Sequence, residues 1–166
     1  MSVEKDHTQQ QFWLMKSEPD VFSIRDLEAR GTFRWDGVRN FEARNFLRDR
    51  MHTGDLAIFY HSSAKTIGAA GVAKIASNAY PDHTAWDPKG PYFDARSTEE
   101  RPLWWMVDVA FVEAFPDILT RDAMQSEPAL ADMLLWKRSR LSIVPIEKCA
   151  FDRIVALGRK IKNARA

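Results

Sequence analysis

One cysteine, Cys149, serves the whole chain, so no internal disulfide can form and a reducing compartment is implied. Four scattered histidines and that single thiol supply no metal-ligand spacing, and no cofactor is indicated. No apolar run approaches the roughly 18 to 20 residues that a membrane helix needs. Residues 1–11 are polar and lack the apolar stretch of a signal peptide. These features point to a protein of the cytoplasm, or of the nucleus if eukaryotic. Also missing are a nucleophile elbow, a P-loop and a cluster of paired carboxylates for a divalent cation. Internal repeats, low-complexity tracts and linkers are not seen either. Net charge is only +1, so bulk charge does not announce a nucleic-acid partner.

What the chain does contain is an uneven distribution of charge. From Arg30 to Arg50 six arginines stand against three acids, and after Asp152 five basic residues meet none. Ser77 to Glu127 holds ten acids and four bases. A positive end beside a negative middle can turn one face to phosphate while the whole stays near neutral. A dipolar surface without function fits the same numbers. With 166 residues, 45% hydrophobic and 28% charged, one domain with a substantial core is the economical organisation.

Trp35-Asp-Gly-Val-Arg-Asn-Phe-Glu-Ala-Arg44 concentrates an aromatic, a turn dipeptide, a helix start and two guanidinium groups. Asp36-Gly37 favours positive φ, Asn40 is a good N-cap, and a helix is predicted from Phe41 to about Met51. Trp35 is thereby placed on a turn outside regular structure, facing a cavity with Arg39, Asn40 and Arg44 around it. The plainer alternative makes it one more core aromatic above a solvated arginine face.

Along the chain, Phe12–Lys16 reads as a short buried strand running into Ser17-Glu-Pro19. Ser23 starts a helix from Ile24 to Arg30, closed by Gly31. Leu56–His61 is a buried strand, and residues 67–79, with Gly68 and Gly71, form a bent strand at a close backbone approach. His61 and Ser62 then lie at a hairpin tip. Residues 82–101 are a proline-punctuated loop of the length that is usually functional or mobile. Leu103–Val112 is a strand in which Trp105, Val107, Val109 and Phe111 alternate with Trp104, Met106, Asp108 and Ala110. Thr120 caps a short helix to Gln125, and a further one is suggested over residues 129–135. Leu141–Pro145 is an edge strand, because Pro145 cannot donate to a ladder. Residues 147–157 form an amphipathic helix ended by Gly158, and residues 160–166 a disordered tail. The mixture of strands and short helices without βαβ regularity suggests α+β architecture, a small curved sheet or partly open barrel flanked by helices.

Trp13-Leu-Met-Lys-Ser-Glu-Pro19, Trp35-Asp-Gly-Val-Arg-Asn40 with Ala43-Arg44, Gly54-Asp55 before Phe59-Tyr-His-Ser62, and Arg138-Ser-Arg-Leu-Ser142 with Pro145 together resemble the EVE domain. This is a PUA-like family related to PUA, ASCH and YTH domains. The similarity runs in order over 12–158 as one domain, leaving 1–11 and 159–166 as flexible polar tails. It implies a PUA-like mixed pseudo-β-barrel of about five to six strands with short flanking helices. It also implies a module that binds DNA or RNA and holds a modified base, methylated or hydroxymethylated, flipped into an aromatic-walled pocket; a non-enzymatic monomer is the expected form. On that basis Lys16, Ser17, Trp35, Asn40, Tyr60, His61 and Ser62 are base-pocket residues. Arg39, Arg44, Arg138, Ser139 and Arg140 are phosphate or rim residues. Trp35 would stack the base, and Asn40, Ser17 and Ser62 would bond its edge.

Alternatives remain at single residues. His61 is equally a structural histidine, and Arg39 or Arg44 equally a buried partner of Asp36 or Glu18. Tyr60 alternates with Phe59, so one of the two faces the pocket, and the tyrosine hydroxyl argues for Tyr60. Trp13 reads as core, while Trp104 or Trp105 supplies a second aromatic wall. A small hydrolase or nuclease using Lys16, Glu18 and His61, or a protein-binding adaptor, are the rival functions.

Overall fold

The computed structural model describes residues 9–162. The start of the expected N-terminal tail, residues 1–8, and the end of the C-terminal one, residues 163–166, lie outside the described residues. Seven strands form one mixed sheet: β1 Phe12–Ser17, β2 Thr32–Trp35, β3 Leu56–His61, β4 Gly68–Ile75, β5 Tyr80–Pro81, β6 Trp105–Thr120 and β7 Ile143–Ile146. Their order is β2-β6-β4-β3-β1-β7, with the two-residue β5 on β6. β1 and β3 run parallel and all other pairs are antiparallel. β2 and β7 do not pair with each other, so the curved sheet stays open. This is the expected PUA-like α+β fold, with β2 and β5 added to the strands legible in the sequence.

Five helices flank the sheet: α1 Ile24–Arg30, α2 Phe41–Asn45, α3 Arg121–Gln125, α4 Leu134–Lys137 and α5 Lys148–Arg159. The local signals explain most of their ends. Ser23 and Asp26 form a reciprocal capping box at α1, Asn40 caps α2 and Thr120 caps α3. The helix expected over 41–51 is realised as α2 followed by a π-helical turn, Phe46–Arg50, which buries Leu47. Gly158 does not end α5, which continues to Arg159. A Cβ at Gly158 would lie 2.4 Å from the Phe115 ring, so this glycine serves close helix-to-sheet packing instead of termination.

β6 is longer than the pattern suggested, because its outer half, from Glu113 on, pairs with Gly68–Val72 and carries no clean alternation. Gly68 and Gly71 make that pairing possible: added Cβ atoms would fall 2.0 Å from the Leu119 carbonyl and 2.2 Å from that of Glu113. β7 pairs only with β1 and places Pro145 opposite Trp13, as an edge strand should. Trp13 is core: its indole N–H donates to the buried Asp55 carboxylate at 3.0 Å. Asp55 also accepts from the backbone of Gln11 and His52. Gln10 and Gln11, assigned by sequence to the tail, are tied by their side chains to the carbonyls of Gly54 and Arg50.

Candidate nucleic-acid interface

The register of the parallel pair decides the layout of the site. Met15 stands beside Phe59, Lys16 beside Tyr60 and Ser17 beside His61, and successive side chains of each strand alternate between the two faces of the sheet. On one face the Phe59 ring meets Trp35 edge-on at 5.4 Å, and the His61 ring lies 5.6 Å from Phe59. Tyr60 faces the other way. The single site expected from sequence is therefore two open cavities on opposite faces, meeting at Lys16, Glu18 and Ser142 where β1 ends.

The first cavity, about 630 Å³, contains Ser17, Phe22, Phe33, Trp35, Arg39, Asn40 and Tyr92 in its walls. Trp35 is the last residue of β2, paired opposite Val107, and so belongs to regular structure and not to the turn expected for it. Only 7% of it is exposed, because Phe22 and Phe59 both pack edge-on against its ring. The turn starts one residue later. Gly37 has φ 81°, and a Cβ there would sit 2.6 Å from the Tyr92 ring. Glycine at this position both permits the backbone and lets Tyr92 lie against it.

Tyr92 is thus the second aromatic wall, a role expected of Trp104 or Trp105. Trp104 is instead stacked on Phe41 at 4.9 Å and donates its indole N–H to Asp94 at 2.8 Å. Neither tryptophan borders either cavity. The only sequence signal for Tyr92 was its place in the long proline-rich loop.

Arg39 anchors that loop. Its guanidinium donates to Asp82, to the carbonyls of Val38 and Tyr92, and to Thr84, which occupies all five N–H groups. Its partner is Asp82, not Asp36 or Glu18, and no donor is left for phosphate. Asp82 is fully buried, which pushes its carboxyl upward, yet hydrogen bonds from Thr84, Gly37 and Arg39 outweigh burial and hold it below the usual carboxylate range. Arg44 is likewise engaged, with the Leu103 carbonyl at 3.0 Å and with Asn45, and lies over Phe41. Arg138 pairs with Glu42. Arg44 and Arg138 border neither cavity. Two rim residues escaped sequence reasoning: Arg30 and Arg34 entered the charge count as two of its six arginines but were assigned no role. Their guanidinium carbons lie 4.3 and 4.7 Å from the Phe33 ring.

Among the polar groups, the Asn40 carbonyl oxygen accepts from Ala43 N–H at 3.0 Å as the helix cap, which leaves the amide donors available. Ser17 donates to the Phe22 carbonyl and keeps its lone pairs. Lys16 donates to the Ser139 carbonyl at 2.9 Å, and burial lowers its ammonium below the ordinary lysine range. His61 accepts from Ile24 N–H at 3.2 Å; burial lowers its imidazole, so it is a neutral structural histidine at the start of α1. With its acceptor nitrogen used and its ring off both cavities, it does not join Lys16 and Glu18 into a catalytic set. Tyr60, Ser62, Ser139 and Arg140 border the second cavity with Lys16.

The EVE domain model matches residues 11–157. Human thymocyte nuclear protein 1 is 42% identical over 167 residues, 89% of this chain and 74% of that protein. A structure of a Leishmania major protein superposes with a TM-score of 0.90 at 41% identity, covering 92% of this chain and 97% of that one. Human THYN1 protein in complex with 5-methylcytosine-containing DNA superposes with a TM-score of 0.85 at 42% identity, covering 92% of this chain and all (100%) of that one. No helix among the described residues is long and apolar enough to cross a membrane. On fold, ordered motifs and relatives alike, this chain belongs to the EVE domain family.

Proposed function

We propose that this protein is a nucleic-acid-binding module, acting as a monomer, that holds a modified base such as 5-methylcytosine in the Trp35 cavity. The observation that carries the proposal is the human THYN1 complex with 5-methylcytosine DNA, at 42% identity across nearly the whole fold. The site chemistry supports it. A cavity of about 630 Å³ falls within the size range of small-ligand pockets and accommodates a base with its sugar. Extruding a base from a duplex costs a few kcal/mol, which the pocket must restore. Trp35 and Tyr92 provide aromatic surface, where stacking contributes about 1–3 kcal/mol per base. The Asn40 amide donates to a base-edge acceptor, and Ser17 accepts. Arg30, with the N–H groups of Arg34 that Asp36 does not engage and of Lys16 that the Ser139 carbonyl does not, meets backbone phosphates and adds affinity without sequence information. The extra methyl group contributes about 1 kcal/mol by burial, so the fit of its corner and the ease of extrusion carry the rest of the discrimination.

The test is fluorescence anisotropy at fixed, stated salt with matched DNA and RNA oligonucleotides bearing cytosine, 5-methylcytosine or 5-hydroxymethylcytosine. Methylated DNA is expected to bind about fivefold or more tightly than unmodified DNA, a margin of about 1 kcal/mol. Trp35→Leu should lose most of that margin, whereas Trp35→Phe should keep part of it. Equal affinity for every base form would reject the base reader.

A further inference from the structure

The second cavity, about 420 Å³, lies on the opposite face of the sheet between the end of β3, α3 and the segment leading into β7. Three cations border it: Lys16, Arg121 and Arg140. Glu18, at the junction with the first cavity, is the acid among its lining residues. Arg121 and Arg140 make no side-chain hydrogen bond or ion pair with any described residue, in contrast to Arg39, Arg44 and Arg138. Tyr60 borders the same cavity at 3% exposure, and its hydroxyl has no hydrogen-bond partner among the described residues. That hydroxyl is not sealed in the core but opens into the cavity, where it can donate to whatever enters. The Trp136 ring forms one wall, fixed by its indole N–H donating to the Leu130 carbonyl at 2.7 Å.

The geometry points to a nucleoside-phosphate subsite, which we propose takes the nucleotide flanking the base held by Trp35. It rests on the nucleic-acid function proposed above for its place along a strand. Lys16, Arg121, Arg140 and the Tyr60 hydroxyl present donors to the cavity, and the serines of its wall can add theirs, which suits the oxygens of a phosphate ester. Trp136 and Ile67 present the apolar surface that a base or sugar needs beside it. Burial pushes the Tyr60 phenol up and the nearby Arg121 pulls it down, with a net rise that keeps it a donor.

The experiment titrates the full chain, by calorimetry and by protein amide NMR shifts, with deoxycytidine 5′-monophosphate, deoxycytidine, inorganic phosphate, and a single-stranded 5-methylcytosine trinucleotide. The variants are Tyr60→Phe, Arg121→Gln with Arg140→Gln, and Trp35→Phe as the control in the other cavity. The nucleotide should bind about tenfold more tightly than the nucleoside, an advantage that the double arginine variant removes. That variant should also flatten the salt dependence of trinucleotide binding by about 1.4 in log–log slope. Tyr60→Phe should weaken the nucleotide about fivefold while leaving the unfolding midpoint unchanged. Nucleotide and nucleoside binding alike, or an arginine variant with wild-type affinity and slope, would overturn the subsite. Inorganic phosphate binding as tightly as the nucleotide would also overturn it, in favour of a free-phosphate site. If oligonucleotides fail to bind but the mononucleotide binds in an arginine-dependent way, the nucleic-acid function falls and the subsite stands for free nucleotides.

Discussion

Asp82→Asn is the substitution that tests how the pocket is held. Asp82 is fully buried and accepts from Gly37 N–H, from an Arg39 guanidinium N–H and from Thr84 N–H, each at 2.9 Å, and from the Thr84 hydroxyl. Asparagine keeps one oxygen, enough for Thr84, and turns an amide NH₂ toward the Gly37 and Arg39 donors. A buried donor deprived of its acceptor costs about 1–3 kcal/mol. Half-buried Gly37 bears most of that, whereas the Arg39 side chain is 22% exposed and recovers part of its loss from water. The sum is about 2–4 kcal/mol, or about 5–15 °C in Tm for a domain of this size. The assay is urea unfolding followed by tryptophan fluorescence, with an unchanged m-value, alongside calorimetric melting. A pH series adds a second constraint. The folded carboxyl lies below its ordinary value of 3.8, so its contribution is fully present above that value and disappears as pH falls through the folded one. The gap between wild type and Asp82→Asn should therefore close below about pH 4. Freed from Asp82, Arg39 also loses its grip on the Tyr92 carbonyl, so affinity for a modified base should fall with stability. A loss under about 0.5 kcal/mol, or one that does not narrow with acid, refutes the clamp.

Three further outcomes follow from the same coordinates. Gly158→Ala raises helix propensity by about 1 kcal/mol but drives a Cβ into the Phe115 ring, so chemical denaturation should show a net loss of about 1–3 kcal/mol; a more stable variant would mean that Phe115 moves aside at little cost. Asn40→Asp preserves the cap on Ala43 while replacing amide donors with a carboxylate, so melting should be unchanged and base affinity should drop about tenfold; parallel loss of both would make Asn40 structural only. His61 is held neutral, its imidazole lowered by burial, so its contribution is fully present above about pH 6.5 and declines as pH falls below that toward its folded value. His61→Gln, which keeps an acceptor for Ile24 N–H, should flatten the stability profile between about pH 7 and 5. An identical dip in the variant would assign it to another group.

Local chemistry written into the chain was legible without coordinates. Ser23, Asn40 and Thr120 cap the helices that their positions announced, and Pro145 marks an edge strand, because each acts on backbone groups within a few residues. The family resemblance likewise carried the fold class, since several motifs in order constrain one topology. Strand β2 was hidden because its four residues pair with β6, more than seventy positions away, and carry no pattern of their own. Gly158 was misread as a stop signal because a glycine at a helix end and a glycine under an aromatic ring look the same in one dimension.

The candidate site shows the same division more sharply. From sequence, the family resemblance grouped Lys16, Ser17, Trp35, Asn40, Tyr60 and Arg140 as parts of a single site. The parallel register of β1 and β3 separates Ser17 from Tyr60, while β2 and the cap of α2 bring Trp35 and Asn40 to the cavity of Ser17, and the segment before β7 brings Arg140 to that of Tyr60. Whether an arginine is available to a ligand depended on acids and carbonyls far along the chain. Asp82 and the Tyr92 carbonyl consume Arg39, Glu42 engages Arg138, and Arg121 is left open. Hydrogen-bond satisfaction is a property of the packed molecule, and so the inventory of free donors existed only in the tertiary structure.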